Sequence, residues 1–284
     1  TILLILLFSM TVLGFGWGIG YLLNGDHVSG LILAAIVLAI YLPITYASAS
    51  QQVLKMSGAR EIKKEDHPQL FGIVEELSIA ARLPMPKVYI VDDPSPNAFA
   101  TGIKPEKSAV AFTTGLLDTL NREELSAVAA HELAHIRNYD IRLMTVCIAL
   151  VAVIALLGDL SSRMLYYGGG RQKGGQRGGN PIFFIIALLF VILAPLAAQF
   201  VRFAVSRNRE YLADATAVEF TRNPIGLINA LRKISQDPRD VKHAREARAS
   251  MYIVRPFKKR RKNFNHLFAT HPPIEKRIER LERM

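Results

Sequence analysis

The sequence has a single cysteine among its 284 residues and no lysine or arginine before Lys55. With only Cys147 available, an internal disulfide is excluded, and the chain fits a reducing compartment. The N-terminal apolar stretch also lacks the basic n-region that a cleaved signal peptide carries. These absences argue against a secreted, disulfide-bonded protein with a cleaved signal peptide.

Apolar residues are abundant instead, at 50% of the sequence. Two nearly uncharged runs, 2–23 and 28–47, are each long enough, at about 20 residues, to cross a hydrocarbon core of roughly 30 Å. Two weaker runs, 143–158 and 182–201, flank a Gly-rich basic loop. The first pair predicts two transmembrane helices. The second pair predicts either two full crossings or a shallow hairpin.

The basic residues are unevenly placed in a chain of net charge +11. Lys55, Arg60, Lys63 and Lys64 follow the second apolar run, whereas the turn at 24–27 has no basic residue. Because basic residues stay on the cytoplasmic side, we expect a multi-pass protein of the inner (cytoplasmic) membrane with its polar part in the cytoplasm. The basic run at 255–262 then predicts contact with anionic membrane lipids, or simply a solvated surface, rather than nucleic-acid binding.

A metal-binding pattern lies at His131-Glu132-Leu133-Ala134-His135. On a helix, the two histidines lie one turn apart on one face and can bind one Zn²⁺, while Glu132 can act as general base on a water. Asn121 and Glu124 form a capping-box pattern that predicts where this helix begins. The alternative is two histidines that only cap or pack a surface helix.

A catalytic zinc site needs a third protein ligand and one open position. Glu210 and Asp214 have the same i,i+4 helical spacing, so Glu210 is a candidate ligand. Asp214 would then accept a hydrogen bond from a ring N–H of a ligand histidine. Spacing alone leaves open the alternative that Glu210 only pairs with Arg207.

Four blocks of the sequence together resemble the HtpX-type membrane metalloproteases, in the order of that family: residues 97–102, 131–140, 209–214 and 270–278. The resemblance covers residues 45 to 284 and extends to the paired apolar runs before them. It implies a gluzincin-like endopeptidase with one Zn²⁺ per chain, a heat-shock protease of protein quality control. Its substrates would be misfolded or damaged membrane proteins.

The same resemblance assigns roles to individual residues. It implies His131, His135 and Glu210 as zinc ligands and Glu132 as the catalytic base. With both ligand segments on one side of the membrane, the segment 143–201 must cross it zero or two times.

Two further candidates come from the resemblance, each with a simpler alternative. Asn97 and Ala98 correspond to a strand edge that aligns the substrate, and the strand-like residues 109–113 would pair with it. For Asn97, the alternative is an Asx turn after Pro94-Ser95-Pro96. His271 is the candidate oxyanion stabiliser, or else a packing residue at the start of the last amphipathic helix.

The expected fold is mainly α with a small β-sheet (α+β). It comprises two transmembrane helices (1–47), the first half of a protease domain (48–142), a hydrophobic hairpin (143–201) and the second half of the domain (202–284). Alternative functions are a CAAX prenyl-type protease and a non-catalytic membrane scaffold. A scaffold or transporter would need polar residues within the apolar runs, which contain almost none. The sequence identifies neither the physiological substrates nor the oligomeric state.

Overall fold

The structure, a computed structural model, describes residues 2–150, 207–237 and 272–284. Most of the expected hairpin, with its Gly-rich loop, and His271 lie outside these ranges. The chain divides into two compact units, Thr1–Ser48 with Cys147–Phe200 and Ala49–Val146 with Val201–Met284.

The first unit contains α1 (Ile2–Asn24) and most of α2 (His27–Met56), two long helices that correspond to the first two apolar runs. The Asp26 carboxylate starts α2 by accepting hydrogen bonds from the backbone N–H groups of Val28 and Ser29, at 3.0 and 2.9 Å. Within the described part of the chain, α2 is the one helix long and apolar enough to cross a membrane.

Glycines bring α1 and α2 into close backbone contact. A Cβ atom on Gly30 would overlap the carbonyl oxygen of Gly16, and one on Gly20 would lie 2.7 Å from the backbone nitrogen of Gly30. Small residues at such a crossing replace side-chain packing by direct backbone contact. A larger residue at these positions would therefore push the two helices apart.

The second unit is built around a mixed four-stranded sheet in the order β1-β2-β4-β3. The strands are β1 (Ala59–Glu61), β2 (Lys87–Val91), β3 (Ala98–Gly102) and β4 (Ser108–Thr113). Strand β2 runs parallel to β4, while β1 and β3 are antiparallel to their neighbours. The expected small sheet is thus confirmed, and the pairing of β3 with the strand at 109–113 leaves β3 at its edge.

Helices cover the sheet and complete the second unit. A 3₁₀ turn, Pro105–Lys107, joins β3 to β4, and the chain is helical again from residue 140 to 150. The other helices are α3 (Pro68–Ala80), α4 (Thr114–Thr119), α5 (Arg122–Arg137), α6 (Arg207–Thr221), α7 (Pro224–Gln236) and α8 (Ile274–Leu281). The prediction of a mainly helical protein is confirmed for the described residues.

Helix α5 lies at the centre of this unit and carries the two histidines. The predicted capping box is present: Glu124 N–H donates to Asn121 Oδ1 at 2.9 Å, and Asn121 N–H donates to Glu124 Oε2 at 3.0 Å. The buried face of α5, with Leu133 and Ile136 fully enclosed, belongs to one core with the sheet, α3 and α7. This packing fixes α5 on nearly all sides, so the histidines are held on a rigid element.

Candidate metal centre

Three nitrogen and oxygen donors converge between α5 and α6. The Nε2 atoms of His131 and His135 lie 3.2 Å apart. Carboxylate oxygens of Glu210 lie 3.9 Å from His131 Nε2 and 3.6 Å from His135 Nε2. The structure therefore brings together the two helical histidines and the glutamate that the resemblance implied, across a gap of about 75 residues in the chain.

These distances fit one small divalent cation. Zinc bonds to nitrogen and oxygen ligands of about 2.0–2.2 Å in a tetrahedron place the ligand atoms roughly 3.3–3.5 Å apart. The donor atoms of His131, His135 and Glu210 all lie within 4.8 Å of one another. Two imidazoles and one carboxylate are also a ligand set of catalytic zinc sites, which leave the fourth position open. The residues present thus fit the metal.

Each histidine has a carboxylate on its other ring nitrogen. Asp214 Oδ1 lies 3.0 Å from His131 Nδ1, and Asp140 Oδ2 lies 3.1 Å from His135 Nδ1. A carboxylate in this position accepts from Nδ1–H and leaves the Nε2 lone pair directed at the metal. Asp214 lies where the sequence analysis expected it, beside a ligand histidine. Asp140 takes the equivalent position beside His135.

A fully buried arginine holds one of these carboxylates in place. Arg277 of α8 donates to Asp214 from Nη2 at 2.6 Å and from Nε at 2.9 Å, and its Nη1 lies 3.9 Å from Glu210. A contact of 3.5 Å between Arg277 Nη2 and His131 Nδ1 joins two groups that both donate to Asp214, so it is not itself a hydrogen bond. The last helix of the chain is in this way connected to the metal centre.

The centre carries an excess of buried negative charge. Four carboxylates, on Glu132, Asp140, Glu210 and Asp214, are at most 8% exposed. Within the described ranges, the cations beside them are the fully buried Arg277 and the partly exposed Arg209, whose Nε lies 3.7 Å from Asp140. Buried charges are costly unless they are paired or bind a metal. A divalent cation would offset most of this excess.

Burial and charge change the protonation of these groups. Burial raises the pKa of Glu132 to about 7, a trend opposed by the nearby His135. Burial alone would raise the pKa of Asp214, but the charge of Arg277 and the hydrogen bond to His131 outweigh it and lower that pKa to about 2. A carboxylate that titrates near neutrality suits a general base, while Asp214 stays ionised and keeps His131 oriented.

In the metal-free chain, the pKa values of the two histidines are shifted in opposite directions. Burial lowers the pKa of His131 against the opposing pull of Asp214. Burial acts in the same direction on His135, but the hydrogen bond to Asp140 and the charges of Glu210 and Glu132 outweigh it and raise the pKa to about 9. A proton on His135 therefore competes with a metal at neutral pH.

Asn97 and Ala98 lie where β3 begins, in the same unit as α5. Both are buried, and the Ala98 N–H donates to Asn97 Oδ1 at 3.0 Å. The Ala100 backbone, further along the strand, lies close to the Glu132 carboxylate. The edge strand therefore runs beside the candidate base. His271, the candidate oxyanion stabiliser, is outside the described ranges.

Sequence reasoning did not identify Arg277. A signal was present, because Ile274, Ile278 and Leu281 form an apolar stripe and Arg277 falls on the same helical face. A charged residue in the buried stripe of an amphipathic helix requires a buried partner. The sequence did not say which partner, since Asp214 is 63 residues away.

Comparison with known proteins identifies the family of this chain. A family model, Peptidase family M48, matches residues 64–284. The chain belongs to peptidase family M48. It is 52% identical over 293 residues to the "Protease HtpX homolog" of Listeria monocytogenes serotype 4a (strain HCC23), covering 100% of this chain and 96% of that relative.

Another M48 relative, the "Protease HtpX homolog" of Ligilactobacillus salivarius (strain UCC118), is 49% identical over 271 residues, which are 95% of this chain and 91% of the relative. The crystal structure of Ste24p from S. mikatae aligns with 95% of this M48 chain and 61% of its own, at a TM-score of 0.48 and 17% identity. The resemblance to HtpX-type proteases is thus confirmed, and the chain is a protease of that type.

Proposed function

We propose that this M48 protease is a membrane-anchored, zinc-dependent endopeptidase. The observation that carries the proposal is the convergence of His131 Nε2, His135 Nε2 and the Glu210 carboxylate within 4 Å of one another. When bound there, Zn²⁺ supplies a Lewis acid for the scissile carbonyl and lowers the pKa of a water to near neutrality. The excess of buried carboxylates supports a divalent cation at this position.

The protein's own residues divide the remaining chemistry. His131, His135 and Glu210 hold the cation, and Asp214 and Asp140 orient the two imidazoles. Glu132 accepts a proton from the attacking water as the new C–O bond forms. It then delivers that proton to the amide nitrogen as the C–N bond breaks, which leaves a free carboxyl group and a free amine. His271 is the proposed donor to the oxyanion.

The substrate is expected to be an extended chain. Asn97 and Ala98 begin the edge strand β3, whose free side passes Glu132 at Ala100. Pairing with such an edge uses main-chain hydrogen bonds, so it favours unfolded segments over particular side chains. We therefore propose misfolded or damaged membrane proteins as substrates, with loose sequence preference.

The membrane arrangement belongs to the same proposal. Helices α1 and α2 form two transmembrane spans of the inner membrane, and the protease unit faces the cytoplasm, where basic residues follow α2. Basic segments contact anionic lipids, and no nucleic acid is bound. Similarity to HtpX homologues over the whole chain favours quality control over a CAAX prenyl-type protease and a scaffold.

Cleavage of casein, which is largely unfolded, tests this proposal. The purified full-length protein in detergent is expected to cleave it, to stop after the metal is removed by a chelator, and to resume when one equivalent of Zn²⁺ is returned. Casein cleavage of equal rate in the chelated and the zinc-loaded protein would reject zinc dependence. No cleavage by the zinc-loaded protein would reject the endopeptidase.

A further inference from the structure

The edge of β3 that does not pair with β4 carries three backbone amides, at every second residue. In the antiparallel pair, Asn97 faces β4, because Thr113 N–H donates to the Asn97 carbonyl at 3.0 Å. In such a ladder, the backbone N–H and C=O groups of alternate residues point to opposite edges of the strand. Those of Ala98, Ala100 and Gly102 therefore point away from β4. These three positions are the ones that a paired substrate would meet.

Side chains hold the amides at both ends of this edge. Ala98 N–H donates to Asn97 Oδ1 at 3.0 Å. Gly102 N–H donates to Thr145 Oγ1, also at 3.0 Å, and the same hydroxyl lies 3.0 Å from the hydroxyl of Thr101. Thr145 is fully buried on the helical segment 140–150, which follows the zinc-binding helix after a turn at residues 138–139.

The middle position, Ala100, differs from the two ends. Its backbone lies beside the carboxylate of Glu132, the candidate base, and the residue is 7% exposed, whereas Ala98 is fully buried. At Gly102 a side chain is excluded, since an added Cβ would lie 2.7 Å from the Lys107 carbonyl oxygen, and its φ of +148° favours glycine. The end of the edge is therefore fixed by geometry as well as by the Thr145 hydroxyl.

We infer that Asn97 and Thr145 close the two ends of the substrate-pairing edge, so that an extended substrate takes its register from Ala100 beside the general base. The inference rests on the proposed endopeptidase function and specifies how that site selects the bond to be cut. Thr145 is a positioning residue, which does not touch the scissile bond and acts through β3. If the substrate shifted by one residue, each of its side chains would move to the other face of the strand. The nearest competing register is therefore two residues away.

A matched pair of variants isolates the hydroxyl. T145S and T145A both lack the γ-methyl group and differ from each other only in the hydroxyl, so only serine retains the oxygen that accepts from Gly102 N–H. A control is T216A, which removes a threonine hydroxyl bonded only to the carbonyl of Leu212 within its own helix. Each zinc-loaded full-length protein would digest β-casein, and the cut sites would be mapped by mass spectrometry early in the reaction.

The wild type, T145S and T216A are expected to cut the same bonds in the same proportions. In T145A, the freed Gly102 amide can pair with a substrate carbonyl, so new cuts should appear two residues from the original ones. Preference for the original sites should fall about fivefold, the effect of one typical hydrogen bond. A variant that is merely less stable would lower all cuts together and leave their proportions unchanged.

If T145A cuts the same bonds in the same proportions as the wild type, the inference is wrong but the proposed endopeptidase function still holds. If the zinc-loaded wild type does not cleave at all, both the inference and the proposed function are wrong. If T145A does not fold, backbone N-methylation along a peptide with a single cut site gives the same test on the wild type. Loss of cleavage at one or two adjacent pairing positions would support a short edge centred on Ala100. Loss at three or more alternating positions would contradict it.

Discussion

Arg277 and Asp214 form a doubly hydrogen-bonded ion pair that is shielded from solvent, and Asp214 passes this constraint to His131. The arginine lies on the last helix of the chain, whereas the histidine lies on the central helix α5. The C-terminal helix is thus part of the support of the metal centre. A carboxylate that lost this arginine would be a buried charge with one partner fewer.

R277M should therefore destabilise the protein and weaken zinc binding. Breaking a buried pair from one side costs about 3–5 kcal/mol, and loss of support for a ligand's partner costs about 10- to 100-fold in metal affinity. The control is R232M, which removes an exposed ion pair with Glu282 of the C-terminal segment and should cost less than about 1 kcal/mol. Thermal unfolding and zinc competition measure both effects. Equal behaviour of the two variants would contradict the role given to Arg277.

E210Q should abolish tight zinc binding while the protein stays folded. The amide keeps the size of the side chain but removes the negative charge that the third ligand supplies. The matched control, E219Q, lies on the same helix α6 and removes only an exposed pair with Arg137. Elemental analysis after gel filtration reports zinc per chain. A full equivalent of zinc in E210Q would exclude Glu210 as a ligand.

Zinc affinity should rise with pH up to about 9 and then level off. The neutral imidazole is the ligand, and the metal-free chain holds a proton on His135 because its pKa is raised to about 9. Below that value, each pH unit should cost about tenfold in apparent affinity, because one proton must leave. In D140N, the plateau should begin at lower pH, since the hydrogen bond that raises this pKa is weakened. Competition with a chromophoric chelator checks both, and a pH-independent affinity between pH 6.5 and 8.5 would contradict the assignment.

G30A should loosen the packing of α1 on α2. Its Cβ would overlap the Gly16 carbonyl oxygen, and over-packing of this kind costs about 1–3 kcal/mol. G18A is the control on α1, because a Cβ there meets nothing within 4 Å. Thermal inactivation in detergent should be faster for G30A than for G18A. Equal rates would indicate that the two helices do not depend on this contact.

Local patterns of the sequence predicted the elements that depend on near neighbours. The capping box at Asn121 and Glu124 and the facing histidines of α5 are set by spacings of three and four residues, which a helix converts directly into contacts. The short last helix was likewise expected from its proline pair and apolar stripe. These features need no information about the rest of the fold.

Contacts between distant segments could not be read in the same way. The roles of Arg277 and Thr145 depend on partners 63 and 43 residues away, and no periodicity states which segments meet. For Glu210, the sequence allowed two interpretations, a zinc ligand or a partner of Arg207. The resemblance of residues 209–214 to the family decided between them. The number of membrane spans remains a prediction, with one helix meeting the length and hydropathy requirement in the ranges described.

The most direct measurement compares casein cleavage by the wild type and E132Q, each with its zinc content determined on the same sample. The account predicts one zinc per chain in both proteins, because Glu132 is not a ligand. It also predicts a rate for E132Q at least about 10²-fold lower, the contribution of a positioned general base. Cleavage at the wild-type rate by zinc-loaded E132Q would contradict the mechanism.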